Sequence, residues 1–346
     1  MASITVTMLG ASGSGKTTYL HGMFTQLARG SGDFGLFERD PDLELDLIEG
    51  WRALAEHGVV PEATDENPRF YEFVLQHREH TAATMSWADF RGGALFTRSD
   101  QHSDVLRLRS RLMESDSIHL VLDGGTLAEA RLPHDVPRLA TTLGAERMST
   151  LVRGVVDARA AQGLALPSIV VLITKADRIV NAAHANGVPH DKRLAEVIVA
   201  VIDMLPVLSR TRLTAMVCPV QVGWFGEAEH NIDPARVDTQ RLHQPILFSA
   251  RHQHFTEEFR QRAVITRLTG EVAARQAELD ALLVHPFRLP GRRSKVESSL
   301  REARTRLAAA EHARATAAYW SSVLASKIDT DVPIIHEGRH VQRGSA

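Results

Sequence analysis

The sequence has little of what marks secreted or membrane proteins. It contains a single cysteine, Cys218, in 346 residues, which excludes an internal disulfide framework and fits a reducing compartment. Its longest apolar run, SIVVLI at residues 168–173, is far too short to cross a bilayer, so we expect no membrane insertion. The first residues lack the basic segment and long apolar core of a secretory signal, and we therefore expect a cytoplasmic protein.

Neither positive nor negative charge is in large excess. The 40 lysines and arginines are balanced by 42 aspartates and glutamates, giving a formal net charge of −2, which predicts no overall attraction to nucleic acid. Residues 251–330 depart from this balance, with 14 basic against 9 acidic residues, but aromatic residues are sparse among them. Because mixed-charge helices commonly present a solvated face or a protein contact, we expect a protein partner or self-association there rather than nucleic acid.

The first 250 residues alternate strand-like runs with segments of helical spacing. This alternation predicts an α/β fold with a mostly parallel sheet covered on both faces. Two of the strand-like runs, at residues 69–75 and 84–90, are separated by only a few residues, so we expect them to form a hairpin that adds one antiparallel edge strand. The predicted strands are ITVTML (4–9), RFYEFVL (69–75), TMSWADF (84–90), SIHLVLD (117–123), SIVVLIT (168–174) and LTAMVCPV (213–220).

The pattern changes after about residue 250. Apolar or small residues then recur three or four positions apart on both sides of the breaker HPFRLPGRRS at residues 285–294, which predicts an antiparallel, coiled-coil-like helical hairpin. The last residues carry no apolar repeat. We therefore expect a first domain over residues 1–250, the hairpin over 251–330 and a flexible tail over 331–346.

A glycine-rich turn follows the first predicted strand. Residues 10–17 read GASGSGKT, here called the phosphate loop, and match the pattern G-x-x-x-x-G-K-S/T. Glycines permit close approach of backbone N–H groups to phosphate oxygens, the lysine neutralises the β and γ phosphates, and the threonine hydroxyl ligates Mg²⁺. The strand and helix on either side predict a three-layer P-loop NTPase sandwich. The residues expected to hold phosphate are Gly10, Ser12, Gly13, Ser14, Gly15, Lys16, Thr17 and Thr18.

A second Mg²⁺ anchor is expected at the end of another core strand. WADFRGG at residues 87–93 offers Asp89, with Gly92 three residues later in the pattern D-x-x-G. In that arrangement Asp89 reaches Mg²⁺, usually through water, and the Gly92 N–H touches the γ-phosphate.

The segment TKAD at residues 174–177, here called the base segment, follows a buried strand. A carboxylate at Asp177 accepts hydrogen bonds from the N1–H and 2-amino groups of guanine, two donors that adenine lacks in this geometry. Lys175 would lie over the base plane and Thr174 would tie the segment to the phosphate loop. The alternative is a charged helix start in which Asp177 serves as a cap, and the nucleotide would then be ATP.

Together the three motifs resemble the translation-factor-related class of P-loop GTPases, which includes Ras-like proteins, and the layout resembles bacterial double-GTPase families of conflict or defence systems. The resemblance implies a switch threonine that closes over Mg²⁺ and the γ-phosphate. Thr64 is the best candidate, and Thr81 and Thr84, in or beside the predicted hairpin turn, are the alternatives. It also implies a last motif whose backbone reaches the guanine O6, placed at Gln221 and Val222 in a predicted turn.

One departure from the resemblance concerns hydrolysis. Ras-like proteins orient the attacking water with a glutamine directly after the D-x-x-G glycine, where this chain has Gly93. Arg91 is a candidate arginine for the γ-phosphate, alongside Lys16. We therefore expect a slow or partner-activated GTPase that uses GTP/GDP and Mg²⁺ as a switch. The alternatives are a P-loop ATPase of signalling type, a scaffold that binds nucleotide without cleaving it, and a nucleic-acid-binding module built on the hairpin.

Overall fold

The computed structural model describes residues 2–61, 68–90, 103–224, 232–284, 290–337 and 339–340. The chain divides into two units, the first comprising Met1–Ala250 and Lys327–Ala346 and the second Arg251–Ser326. Among the helices described, none is long and apolar enough to span a membrane.

A central sheet forms the first unit. In the described part of the chain its order is β11-β10-β7-β6-β5-β1-β4-β3-β2, and a separate ribbon consists of β8 and β9. The strands are β1 Ala2–Gly10, β2 Phe34–Glu38, β3 Arg69–His77, β4 His80–Asp89, β5 Ser117–Asp123, β6 Ser168–Thr174, β7 Thr214–Pro219, β8 Gln221–Gly223, β9 Val237–Gln240, β10 Ile334–His336 and β11 Arg339–His340.

Eight helices of the described residues connect these strands and cover the sheet. They are α1 Lys16–Ala28, α2 Pro41–His57, α3 Ser103–Glu114, α4 Gly124–Ala128, α5 Val136–Thr142, α6 Ala145–Ala161, α7 Ala176–Ala185 and α8 His190–Met204. Two long helices follow, α9 Gln244–Val284 and α10 Pro290–Ala325.

The pairing confirms the predicted α/β fold with a mostly parallel sheet. Strand β1 pairs in parallel with β4 and β5, and β5, β6 and β7 continue in parallel. The predicted hairpin of β3 and β4 is also present and antiparallel. However, β3 is not the outermost strand, because the short β2 pairs antiparallel with its free side. A five-residue strand gives too short an alternation to stand out in the sequence.

Alternate residues of the parallel strands pack against the two helical layers. On β5, Leu120 and Leu122 join an apolar cluster that includes Val152 of α6 and Val201 of α8. On the opposite face, Phe24 of α1 stacks on Phe73 of β3 with ring centroids 5.8 Å apart. Since parallel strands end at the same edge of the sheet, the ends of β1, β4 and β6 bring the sequence motifs together there.

The prediction of a flexible tail over residues 331–346 is wrong for its first part. Strand β10 pairs antiparallel with β7, and the Val217 N–H donates to the Pro333 carbonyl at 3.0 Å. Val332 and Ile335 are only 4% and 2% exposed. A lone three-residue strand has no periodicity to detect, but the free edge of β7 supplies its hydrogen-bond partners. Residues 338 and 341–346 lie outside the described residues.

The second unit is the predicted helical hairpin, which we call the helix pair (residues 251–326). Its helices run antiparallel, since Arg304 donates to Gln276 at 2.9 Å and His254 stacks on Trp320 with centroids 6.3 Å apart. Small and apolar residues line the buried seam, as the sequence spacing predicts. They include Leu268, Val296, Leu300, Ala303, Ala310 and Ala317.

Candidate functional site

The phosphate loop connects β1 to α1 at the C-terminal edge of the sheet. Gly13 and Gly15 have φ values of +75° and +83°, in the left-handed region where glycine carries no steric penalty. Gly10 lies so close to β5 that an added Cβ would come within 2.7 Å of the Val121 carbonyl oxygen. The backbone of the loop is therefore shaped by glycines at its entry, middle and end.

Lys16 is held against the phosphate loop itself. Its side chain is buried, and Nζ donates to the carbonyl oxygens of Gly10 at 2.9 Å and Ala11 at 3.0 Å. Burial lowers the pKa of the Lys16 ammonium, and the nearby negative charge of Asp89 raises it in part. The structure thus places Lys16 and Asp89 within electrostatic range of one another at this edge.

The start of α1 fits an anion. Gly15, its N-cap residue, provides no side-chain cap, so the first N–H groups of the helix, at residues 16–18, face the end of the loop. Ser14 is 2% exposed, and its Oγ has no hydrogen-bond partner among the residues that the structure describes. A buried hydroxyl without a partner costs about 1–3 kcal/mol. Phosphate oxygens would satisfy both the hydroxyl and the helix N–H groups.

Asp89 ends β4 and is 1% exposed. Its position in the sheet is directly beside Met8 of β1, two residues before the phosphate loop, and Thr17 lies in the first turn of α1. A threonine hydroxyl and a carboxylate at one sheet edge suit the hard-oxygen preference of Mg²⁺, which would take its remaining ligands from phosphate and water.

Arg69 is a charged neighbour of Asp89 that the sequence did not indicate. The first residue of β3, it stands opposite Asp89 in the antiparallel register, so both side chains lie on the same face of the sheet. The sequence shows only that an arginine begins the strand; the pairing register is set by the hairpin.

The base segment is hydrogen-bonded to the phosphate loop. Thr174 Oγ1 donates to the Ser14 carbonyl at 2.7 Å and to the Leu122 carbonyl at 3.1 Å. Lys175 adopts φ +51°, and its Nζ donates to the Gly13 carbonyl at 3.2 Å. Asp177 lies in the first turn of α7 and is 3% exposed. The structure therefore brings the two motifs together as one assembly.

The predicted turn at Gln221 and Val222 is wrong, because both residues lie in β8, a strand that pairs with β9. The Gln221 side chain is occupied by Asp238, to whose Oδ2 its Nε2 donates at 3.2 Å. The strand nonetheless begins beside the base segment, since the Ala176 N–H donates to the Val220 carbonyl at 3.2 Å. Strands β8 and β9 have only three and four residues, so their alternation is too short to indicate the ribbon from the sequence.

Thr64, Arg91 and Gly92, together with Gly93, lie outside the described residues. Their roles therefore stay predictions. The other predicted phosphate-binding residues run from the end of β1, through the loop, into the first turn of α1; they are Gly10, Ser12, Gly13, Ser14, Gly15, Lys16, Thr17 and Thr18.

Asp123, at the end of β5, is a second residue that the sequence analysis missed. Its Oδ1 lies 3.2 Å from Lys175 Nζ and also accepts a hydrogen bond from the Gly125 N–H at 3.0 Å. In the sequence, Asp123 reads as the last residue of a buried strand before two glycines. The feature that could have identified Asp123 as a site residue is its position at the end of a predicted parallel strand.

No family model matches the chain, and no curated protein matches it. Among solved structures, a mutation variant of SsGBP is 14% identical with a TM-score of 0.26, covering 63% of this chain and 49% of that one. The FeoB G-domain from Methanococcus jannaschii is 12% identical with a TM-score of 0.26, covering 64% and 86%. The structure of sup35 complexed with GDP is 12% identical with a TM-score of 0.28, covering 68% and 41%.

This chain thus spans less than half of the SsGBP and sup35 chains.

Proposed function

We propose that the first unit binds a guanine nucleotide with Mg²⁺ and acts as a nucleotide-dependent switch. One observation carries the proposal: Thr174 and Lys175 of the base segment both donate to carbonyls of the phosphate loop, at 2.7 Å and 3.2 Å. If the TKAD sequence were unrelated to nucleotide binding, hydrogen bonds between it and the phosphate loop would not be expected. Their connection supports a single pocket that reads phosphate and base together.

Each residue has a separate part in this proposal. The phosphate loop and the start of α1 would surround phosphate oxygens, with Lys16 neutralising the β and γ phosphates. Thr17 and Asp89 would hold Mg²⁺, whose charge stabilises the phosphates. The Asp177 carboxylate would accept from the two guanine donors, which adenine lacks in this geometry.

For hydrolysis we propose slow or partner-activated turnover of GTP. Gly93 has no side chain to orient the attacking water, and Thr64 and Arg91 are proposed to contribute from the segments on either side of the β3–β4 hairpin. A partner would then supply what Gly93 lacks, in the way that transition-state charge is relieved by added groups in other NTPases.

We further propose that the helix pair is where a protein partner or a second copy binds, in a cytoplasmic protein of a bacterial defence or conflict system. A nucleotide-dependent change around the Mg²⁺ that Asp89 and Thr64 would hold is the change that a partner would sense.

Calorimetric titration with GDP and ADP, with and without Mg²⁺, tests the guanine assignment. We expect GDP to bind at least about a hundredfold more tightly than ADP, because a site built to bond a donor rejects a ligand lacking it. Lys16→Ala should weaken binding of both nucleotides. Asp177→Asn should weaken GDP and favour xanthosine diphosphate, since an amide can donate to the 2-keto oxygen.

Equal affinity for GDP and ADP would contradict the guanine assignment and favour the ATPase alternative. Phosphate release in a single turnover then separates a slow GTPase from a scaffold: tight GTP binding without phosphate release supports the scaffold.

A further inference from the structure

We propose that Asp123 is a positioning residue for Lys175 and thereby sets the affinity of the site for the guanine base. The inference rests on the function proposed above and deepens it, because it concerns how the base-contacting lysine is held before the nucleotide arrives.

Asp123 stands where the phosphate loop and the base segment meet. It ends β5, the strand between β1 and β6, and it pairs in parallel register with Thr174. The backbone directly after Asp123 packs closely against Thr174, since a Cβ at Gly124 would come within 2.1 Å of the Thr174 carbonyl oxygen. The end of β5 is therefore fixed relative to the base segment by backbone packing.

The carboxylate of Asp123 has two sets of partners. It caps α4, accepting from the Gly125 N–H at 3.0 Å and from the Thr126 hydroxyl at 3.2 Å. It also lies 3.2 Å from Lys175 Nζ, with 23% of the Asp123 side chain and 35% of the Lys175 side chain exposed. Neutral asparagine or serine caps a helix about as well as aspartate. The ion pair with Lys175 is the part of its role that requires the negative charge and that a neutral cap would not supply.

Lys175 is held at both ends. Its backbone takes the left-handed conformation, φ +51°, and its ammonium is shared between the Gly13 carbonyl and the Asp123 carboxylate. A free lysine side chain gives up about 1.5–2 kcal/mol of rotamer entropy when it is ordered. Ordering it beforehand leaves less to lose when a ligand binds. The aliphatic stem between the two anchors is the part that would lie along the base.

This arrangement predicts a base-dependent effect. A ligand with a base contacts the Lys175 stem, whereas a ligand made of phosphate alone contacts only the phosphate loop, Lys16 and Mg²⁺. Loss of the Asp123 charge should therefore weaken GDP binding and leave the binding of inorganic tripolyphosphate unchanged.

The experiment compares Asp123→Asn and Asp123→Ser with the unmodified chain, using GDP, ADP and tripolyphosphate in the presence of Mg²⁺. Both variants keep a capping oxygen for α4 and remove the charge, so one serves if the other does not fold. We expect GDP affinity to fall about fivefold, the scale of a partly exposed ion pair near 1 kcal/mol. Tripolyphosphate affinity should change by less than about twofold, and the thermal midpoint of the ligand-free protein should stay near that of the unmodified chain.

A second background tests whether Asp123 acts through Lys175. In Lys175→Met, which keeps an apolar stem without the ammonium, Asp123→Asn should no longer change GDP affinity, because the coupling between the two residues is gone.

Three outcomes overturn the proposal. Equal losses for GDP and tripolyphosphate would show that Asp123 supports the whole loop. An undiminished effect in Lys175→Met would show that it acts through another residue, and unchanged GDP affinity would show that it has no role in binding. Failure of the guanine assignment is recognised separately, because the unmodified chain would then bind ADP as well as GDP, and both proposals would fall.

Discussion

A single added carbon at Gly10 would disturb the phosphate loop. The strand residue has no room for a Cβ, which would meet the Val121 carbonyl oxygen at 2.7 Å and Ser14 Oγ at 2.8 Å. We expect Gly10→Ala to lower the free energy of unfolding by about 2 kcal/mol, as overpacking commonly does, and to weaken GDP binding because the loop must shift. Urea unfolding and calorimetry measure the two effects.

Gly154→Ala is the matched control for this substitution. Gly154 lies in α6, where an added Cβ meets no atom within 4 Å among the described residues. The same chemical change should there stabilise the protein by about 0.5–1 kcal/mol through helix propensity. A Gly10→Ala variant as stable as the Gly154→Ala variant would show that the loop does not pack on β5 as described.

At the scale of elements, β5 and the start of α9 are joined by a buried polar network. His119 Nε2 lies 2.9 Å from Ser249 Oγ, which also lies 2.8 Å from Ser117 Oγ. The His119 ring meets Trp87 edge-on, with centroids 4.9 Å apart. Because the ring is enclosed by apolar and neutral groups, its charged form is excluded, and burial lowers the pKa of His119 to about 3.

This histidine predicts a pH dependence of stability. In the unfolded chain its pKa is near 6.5, so below that pH the unfolded state takes up a proton that the folded state does not. The contribution of neutral His119 is therefore fully present above pH 6.5 and declines as the pH falls toward 3, by about 2 kcal/mol at pH 5. In His119→Gln, whose amide can still reach Ser249, the free energy of unfolding should vary less between pH 5 and pH 7.5.

Urea unfolding at the two pH values measures this difference. His134→Gln is the control for the substitution itself, since the His134 side chain is 93% exposed. If His119→Gln has the same pH dependence as the unmodified chain, His119 is not held neutral in the folded state.

At the scale of the whole molecule, the chain returns to its first unit after the helix pair. Residues 327–337 follow α10 and run back to β7, where Ile335 enters the main apolar cluster at 2% exposure. Arg241 also forms ion pairs with Asp329, at 3.7 Å, and with Asp331. The first unit is therefore completed by a segment distant in sequence.

Ile335→Ala tests this closure. We expect the free energy of unfolding to fall by about 3 kcal/mol, because a buried isoleucine is truncated where its surroundings relax only in part. Leu164→Ala, at a side chain that is 47% exposed, should change it by less than about 0.5 kcal/mol. Chemical unfolding of both variants makes the comparison. A negligible effect of Ile335→Ala would restore the flexible tail that the sequence alone predicts.

Local chemistry was sufficient for much of the fold and for part of the site. The phosphate loop, Asp89 and the base segment can each be recognised from a few consecutive residues. The parallel sheet then brings the strand ends that carry them to one edge. Strand and helix patterns repeat over short windows, so the α/β alternation and the antiparallel helix pair were also predictable.

Contacts between distant segments were decided only by the tertiary structure. Three features depend on which segments become neighbours and in what register. They are the ion pair of Asp123 with Lys175, the position of Arg69 opposite Asp89, and the strand that contains Gln221 and Val222. Strand β10 is the same case, because its three residues gain their partners from β7 and β11, and β7 is distant in sequence. The sequence by itself determined which chemical groups are present and which local structures they favour; the register between strands, a non-local property, decided which groups meet.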